Sequence, residues 1–335
     1  MRTMLCRLLA VLSCSMLVMP VVAADFAYHV TGQSVFPGEV KWDYLSFDAD
    51  SHRLYITRGD HVDVYDAALG RMAGSLADTP GVHGVALAPK LNKGFTSNGK
   101  TNTVTVFALS TLKVLGTLPT GKKPDAIVYD AFTKRIFSAN GDAGSLTVID
   151  AVSDEVLATI DIGGKLEFAA VDGKGRLYIN VEDQNLLAVV DTLNLSVLAR
   201  HDLSRVCDEP TGLSIDPATD RLFVGCHNQT MAVLSGTSGN ILASVPIGKG
   251  CDATAFDAQR HLAFSSNGEG TLTVISADTY AVIQTLATKP TARTLALDST
   301  SHRIYMVGAD TEAPGAGGVR PRLKAGTFTL LTVSP

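Results

Sequence analysis

The feature that most constrains the fold of this chain is an internal repeat. In each copy an apolar segment ends at a polar position, usually Asp, and a tight turn leads to a mostly basic position that opens a second apolar segment. The basic position recurs every 40 to 45 residues, at Arg53, Lys93, Arg135, Arg176, Arg221, His261 and Arg303. A unit repeated at this period is typical of propellers and solenoids, in which neighbouring copies pack on one another.

The residues within each copy predict four short strands. Apolar and polar residues alternate with a period of two in segments such as 62–65, 104–107 and 146–149, and a fourth segment follows, as at 114–118. Four antiparallel strands make one propeller blade, which needs its neighbours to bury both of its faces. The seven copies therefore predict an all-β protein, a seven-bladed β-propeller of four-stranded antiparallel blades.

The two ends of the chain predict how the ring of blades closes. The seventh copy supplies three strands, at 293–298, 303–307 and 327–332, while an unassigned segment at 26–30 lies near the N-terminus. We expect this N-terminal segment to complete the last blade, because that pairing removes an exposed strand edge. Residues 25–335 are then one propeller domain, with the Pro- and Gly-rich stretch 312–322 as an insertion between two strands.

The first 24 residues have the pattern of a secretory signal peptide. Arg2 and Arg7 precede an apolar run at 8–22, and the small residues Ala23 and Ala24 follow it. The run is short for a membrane span and contains polar residues and a proline. We expect cleavage after Ala23 or Ala24, no membrane span after cleavage, and a periplasmic or secreted protein.

Composition argues against several classes of function. Hydrophobic residues make up 46% of the chain and charged residues 18%, which excludes intrinsic disorder. The net charge is −5, and −7 once residues 1–24 with their two Arg are removed, so the basic surface that nucleic acids need is not expected. The sequence contains no Walker, G-x-G-x-x-G or G-x-S-x-G motif, which argues against nucleotide binding and serine hydrolysis.

A family resemblance follows from the repeat itself. Residues 216–224 read Asp-Pro-Ala-Thr-Asp-Arg-Leu-Phe-Val, and third strands such as 146–150 contain Val-Ile-Asp. These segments resemble the YVTN/YncE-like family of secreted bacterial β-propellers over nearly the whole chain beyond the signal peptide. The resemblance implies the fold and the location, and it assigns no activity.

The Asp that ends most of the first segments has an architectural interpretation. It recurs at Asp48, Asp130, Asp172, Asp216, Asp257 and Asp298. An Asp before a tight turn accepts hydrogen bonds from the turn, and the basic position places a cation nearby. We expect these turns to be structural and the adjacent His52, His261 and His302 to be structural or solvated, all on the face opposite the candidate site.

The repeat also predicts which residues surround one mouth of the central channel. In a propeller, the loop into each innermost strand and the loop between the second and third strands open at the same end. Five residues before each strand-ending position, the sequence has Asp43, His83, Asp125, Glu167, Thr211, Asp252 and Arg293, with Glu209 just before Thr211. The second set of loops adds Arg58, Asn98, Asn140, Glu182, His227 and Asn267. The three Asn precede Gly and are equally typical of tight turns.

Acidic residues crowded at one mouth raise each other's pKa or bind a cation. Arg293 and Arg58 can neutralise only part of this charge. We call the residues that surround this mouth the ring residues. With His83 and His227 they would suit Zn²⁺, Cu²⁺ or Fe²⁺, whereas oxygen ligands alone would favour Ca²⁺ or Mg²⁺. A divalent metal ion is therefore a candidate cofactor, although no compact metal-binding motif is present. The alternative is a solvated rim that only keeps the channel wet.

Three cysteines lie beyond the expected signal peptide. Cys207 precedes the innermost strand of the fifth blade and Cys226 ends its second strand, so we expect both near the same mouth and joined by a disulfide. Thiolate ligation beside His227 is the competing interpretation. Cys251 is then the free thiol or an alternative partner.

Two functions fit these observations. The favoured one is a secreted or periplasmic binding or scaffold protein that takes a small molecule, a metal ion or a protein partner at the channel mouth. The alternative is a metal-assisted hydrolase of the lactonase type, or a lyase, in which the acids hold the ion and His83 or His227 is the general base. The sequence makes no prediction of the oligomeric state.

Overall fold

The computed structural model describes residues 27–312 and 322–335. The signal peptide expected at 1–24 and most of the insertion expected at 312–322 lie outside the described residues. Within them, no helix is long and apolar enough to cross a membrane.

The described residues form seven four-stranded antiparallel sheets, as the repeat predicted. The first strand of the chain is β1 (His29–Phe36). Blade 1 consists of β2 (Leu45–Asp48), β3 (Arg53–Thr57), β4 (Val62–Asp66) and β5 (Arg71–Leu76). Blade 2 consists of β6 (Val82–Ala88), β7 (Lys93–Asn98), β8 (Thr103–Ala108) and β9 (Val114–Pro119). Blade 3 consists of β10 (Pro124–Asp130), β11 (Arg135–Asn140), β12 (Ser145–Asp150) and β13 (Glu155–Asp161).

The remaining blades repeat this order. Blade 4 consists of β14 (Leu166–Val171), β15 (Arg176–Val181), β16 (Leu186–Asp191) and β17 (Ser196–Asp202). Blade 5 consists of β18 (Pro210–Asp216), β19 (Arg221–Cys226), β20 (Thr230–Ser235) and β21 (Ile241–Pro246). Blade 6 consists of β22 (Cys251–Asp257), β23 (Leu262–Asn267), β24 (Thr271–Ser276) and β25 (Val282–Ala287). Blade 7 contains β26 (Thr294–Asp298), β27 (Arg303–Gly308) and β28 (Phe328–Ser334) together with β1. Two short 3₁₀ turns, Pro89–Leu91 and Glu182–Gln184, complete the elements.

The first strand of every blade contacts the first strands of the two neighbouring blades, and β26 contacts β2. These strands therefore surround the central channel, while the fourth strands form the outside of the ring. Apolar residues of the middle strands fill the space between blades. In one such layer, Phe137 and Val148 of blade 3 pack with Leu177 and Ile179 of blade 4. Burying one such side chain fully contributes about 1.5–3 kcal/mol, so the faces between blades hold the ring together.

The N-terminal strand closes the ring, as predicted. β1 pairs antiparallel with β28, with His29 opposite Ser334 and Phe36 opposite Phe328. The strand begins at His29, three residues later than expected. The reason is that Tyr28 is held by the neighbouring blade, since its backbone N–H and C=O both bond to the side chain of Gln284 in β25.

The turns on the face opposite the candidate site are Asx-type turns, as expected. The Asp130 carboxylate accepts the backbone N–H of Phe132 at 3.1 Å, and Asp216 accepts that of Ala218 at 3.0 Å. Most of the side chains at the basic position also form hydrogen bonds to the next blade. Arg135, for example, donates from Nη1 to the carbonyl of Thr192 at 2.6 Å, in the next blade. The repeat thus ties each of these blades to its successor.

Candidate metal and ligand site at the channel mouth

Hydrogen bonds between blades fix the positions of the ring residues. The carbonyl of Asp43 accepts the hydroxyl of Thr294 at 2.9 Å, and the carbonyl of Arg293 accepts that of Ser266 at 2.5 Å. The carbonyl of Asp125 accepts the hydroxyl of Ser97 in the same way. Each of these bonds joins the start of one innermost strand, or the loop that leads into it, to a strand of an adjacent blade. The ring side chains consequently start from a rigid frame.

Three ring residues from three blades converge. The Nδ1 atom of His83 lies 2.6 Å from Oδ2 of Asp43 and 3.7 Å from Oδ1 of Asp125. One donor atom from each of the three lies within 4.8 Å of the others. The side chains are 21%, 25% and 13% exposed for Asp43, His83 and Asp125, so the group is open to the channel without being on the surface.

The protonation of this group reflects burial and crowding. Burial raises the pKa of Asp125 to about 6, with His83 lowering it and Asp43 raising it further. Burial alone would lower the pKa of His83, but the hydrogen bond to Asp43 and the charge of Asp125 bring it above its ordinary value. The pKa values of Asp125 and His83 are therefore both raised by their surroundings.

Glu167 continues the ring on the far side of Tyr44. The Tyr44 hydroxyl donates to Oε2 of Glu167 at 3.3 Å, and the ammonium of Lys165 lies 3.0 Å from Oε1. Burial and the nearby Asp125 raise the pKa of Glu167 to about 8, against the opposing effect of Lys165. A carboxyl group with this pKa can donate as well as accept a hydrogen bond at neutral pH.

Asp252 and Arg293 form the ion pair of the ring. Arg293 Nε lies 2.5 Å from Oδ2 of Asp252. Burial raises the pKa of Asp252, and the Arg293 guanidinium offsets part of that rise. The adjacent Cys251 is fully buried, which raises the pKa of its thiol to about 12 and leaves it without thiolate character.

A second group lies at the outer rim. His227 Nδ1 is 2.6 Å from Oε2 of Glu209, and Glu182 brings a third donor atom within 4.8 Å. The side chains of His227 and Glu209 are 42% and 59% exposed, so water competes for this group. A disulfide joins Cys207 to Cys226, as predicted, with the Cα atoms 5.4 Å apart, and it links the segments that carry Glu209 and His227. Cys251 is the free thiol.

Five predicted residues use their polar groups in bonds within the protein, although one of them, Thr211, still borders the cavity at the channel mouth. Arg58 is 2% exposed, pairs with Asp63 at 2.6 Å and stacks on the Phe328 ring. The Thr211 hydroxyl donates to the carbonyl of Cys251 at 2.7 Å. The other three are fully buried and donate to Thr hydroxyls on the third strand of their own blades, namely Asn98, Asn140 and Asn267.

A cavity of about 860 Å³ opens at the same mouth, on the side of blades 4 to 7. Its wall includes the ring residues Glu167, Asp252 and Arg293 and also four side chains that were not predicted, Lys41, Trp42, Lys165 and Lys249. Two of the three lysines, Lys41 and Lys165, had a signal in the sequence, since a Lys stands two residues before the ring position in three copies, at Lys41, Lys123 and Lys165. Tyr44 had no comparable signal.

Comparison with known proteins gives the family context. No protein-family model matches the chain. A protein of Salmonella typhimurium named "Uncharacterized protein YncE" is 30% identical over 191 residues, which is 55% of this chain and 54% of the relative. The protein of the same name from Salmonella typhi is 29% identical over 191 residues. The chain thus spans about half the length of the curated relatives it matches. The chain is therefore a seven-bladed β-propeller that is similar to the YncE proteins over about half of its length, which supports the resemblance found in the repeat.

Proposed function

We propose that this protein is a binding protein of the periplasm or the cell exterior that takes a divalent transition-metal ion at the channel mouth, through Asp43, His83 and Asp125. The observation that carries the proposal is the convergence of these three donor atoms, from three separate blades, within 4.8 Å. Two carboxylates and one imidazole are a ligand set that suits zinc and its neighbours in the first transition series.

The distances between the ligand atoms are close to those around a bound metal ion, so the side chains need to move only slightly to hold one. Ligand atoms about 2.0–2.2 Å from a tetrahedral zinc ion lie roughly 3.3–3.6 Å from one another. The distance from His83 Nδ1 to Asp125 Oδ1, 3.7 Å, is already close to this range. The contact with Asp43, at 2.6 Å, is a hydrogen bond whose proton the ion would replace. Metal affinity should therefore fall as the pH is lowered.

The compartment is part of the proposal. The disulfide between Cys207 and Cys226 supports an oxidising location, because structural disulfides persist outside the cytosol and are rare within it. The signal-peptide pattern of residues 1–24 points the same way.

Calorimetric titration of metal-depleted protein with Zn²⁺ tests the metal site. We expect one high-affinity ion per chain, and binding weaker by about 100-fold or more in His83→Ala, because one of three protein ligands is lost. Asp125→Asn should weaken binding with less risk to the fold. The matched control is His261→Ala, since His261 also pairs with a carboxylate, Asp278 at 3.1 Å, but on the opposite face. Equal zinc affinity in His83→Ala and His261→Ala would contradict the proposal.

Glu167 favours a second candidate, metal-assisted hydrolysis. Its pKa of about 8 suits a general acid or base at neutral pH, and it lines the cavity beside the ring. Glu167 would replace the histidine base expected from the sequence, because His83 is assigned to the metal. Zinc-loaded protein should then hydrolyse members of a lactone and ester panel, and Glu167→Gln should abolish turnover while zinc still binds. Absence of turnover across the panel would leave metal binding as the function.

A further inference from the structure

We infer that the cavity at the channel mouth binds a small organic anion with two or more carboxylate or phosphate groups. The inference does not rest on the metal proposal, because none of Asp43, His83 and Asp125 is among the described residues that line the cavity. It rests on the cationic side chains of the wall, on their partners, and on the size of the space.

The first support is the free side of Arg293. The guanidinium is held through Nε by Asp252 at 2.5 Å, and 31% of the side chain is exposed. In residues 27–312 and 322–335 neither Nη atom has a hydrogen-bond partner. A guanidinium fixed along one edge presents its remaining N–H groups in a planar array that matches the paired oxygens of a carboxylate or a phosphate.

The second support is the charge that remains once the pairs within the wall are formed. Among the acids, Asp252 is paired with Arg293, and Glu182 is paired with Lys165, which also contacts Glu167, a carboxyl group whose pKa of about 8 leaves it largely protonated at neutral pH. Glu269, the last acid of the wall, accepts the hydroxyl of Thr271 at 3.0 Å but has no ion-pair partner among the described residues, so it keeps its negative charge.

Among the cations, Lys249 is exposed and has no ion-pair partner in the described part of the chain. Lys41 lies 3.6 Å from Glu39, and both side chains are more than half exposed, so this pair is weak. The side chains that remain available to bind a ligand are therefore mainly cationic, and three of them, Arg293, Lys249 and Lys41, line the same cavity. An anion with two or more charged groups can meet several of them at once.

The third support is size. A volume of about 860 Å³ lies within the range of small-molecule sites, roughly 300–1,000 Å³. It accommodates a tricarboxylate or a sugar bisphosphate. Trp42, the only tryptophan of the chain, is part of the wall, so a ligand in the cavity changes the surroundings of a single fluorophore.

The test is a titration of metal-depleted protein with tricarballylate and, separately, with fructose 1,6-bisphosphate, followed by Trp42 fluorescence and by calorimetry. We expect saturable binding of at least one of the two anions, and the preferred one identifies carboxylate or phosphate as the recognised group. Fructose and spermidine, which lack the negative charge, should not bind. Lys249→Gln and Arg293→Gln should each weaken anion binding by about tenfold, the effect of losing one charge-assisted contact.

Two features keep the test decisive. Arg293→Gln leaves Asp252 without its partner and can disturb the ring, whereas Lys249→Gln changes an exposed side chain and should fold normally. Lys113→Gln, an exposed lysine in a turn on the opposite face, is the matched control and should bind like the unaltered protein. Failure of both anions to bind, tighter binding of spermidine, or full affinity in Lys249→Gln would overturn the inference. The titration uses no metal, so its failure leaves the metal proposal intact, and the reverse holds as well.

Discussion

At the scale of single residues, Glu167 shows how the surroundings change the charge of the channel mouth. Its side chain is 12% exposed and lies near Asp125, and these conditions raise its pKa to about 8 although Lys165 is in contact. A carboxyl group with that pKa is largely protonated at neutral pH. The ring therefore carries less negative charge than the count of its acids suggests, which is compatible with an anion in the adjacent cavity.

The raised pKa of Glu167 predicts that stability falls as the pH rises. The unfolded chain releases this proton near pH 4.5, whereas the folded protein keeps it up to about pH 8, so the folded state binds more protons between these values. Linkage then lowers the free energy of unfolding across this window, by on the order of 1 kcal/mol per pH unit. Asp125, with a pKa of about 6, adds a contribution of the same sign.

Urea unfolding from pH 5 to pH 8.5 measures this decline. Glu167→Gln replaces the protonated acid with a neutral amide and should remove most of it, leaving the smaller part due to Asp125. Glu269→Gln, at an exposed position of the same mouth, is the control and should keep the decline. An unchanged pH slope in Glu167→Gln would show that this residue is not the one holding the proton.

At the scale of strands and loops, the regular part of the structure was predictable and the direction of individual side chains was not. Alternating apolar residues in segments such as 146–149 define a strand wherever they occur, so the seven blades follow from the repeat. Asn98 and His227 occupy equivalent loops, yet Asn98 turns into its blade and His227 stays at the rim. The difference lies in their positions, since Asn98 is the last residue of β7 and bonds to the hydroxyl of Thr105 at 2.8 Å, whereas His227 follows the last residue of β19.

Contacts between blades are a second feature of the structure that a single copy of the repeat does not predict. The repeat predicts that Arg135 places its charge near the Asp of its own turn, but its guanidinium donates to the carbonyls of Thr192 and Leu193, 57 and 58 residues later. Similarly, Tyr44 reaches Glu167 across 123 residues. Such partners meet only when the blades pack around the channel, so the spacing within one repeat does not reveal them.

At the scale of the whole molecule, ring closure makes the site dependent on the N-terminal strand. β28 is almost entirely buried, with Phe328, Leu330 and Leu331 at most 1% exposed, whereas β1 on its outer side is partly exposed, like the fourth strands of the other blades. β1 supplies the outer edge of this blade, and Phe36 packs on Phe328. Loss of β1 would expose apolar surface and unpaired backbone in blade 7, whose innermost strand Arg293 immediately precedes.

We therefore expect a chain that begins at Glu39 to be far less stable than one that begins at Ala27. Seven residue pairs join β1 to β28, and at about 0.5–1.5 kcal/mol for each hydrogen bond the loss is on the order of several kcal/mol. Calorimetry should show a lower and broader transition, and size-exclusion chromatography should show association through the open edge. A synthetic peptide of residues 27–38 should restore much of the stability, because it can pair with β28 as an added strand. If the shortened chain melts like the longer one and remains monomeric, the blades hold together without closure, and the channel-mouth site does not need the N-terminal strand.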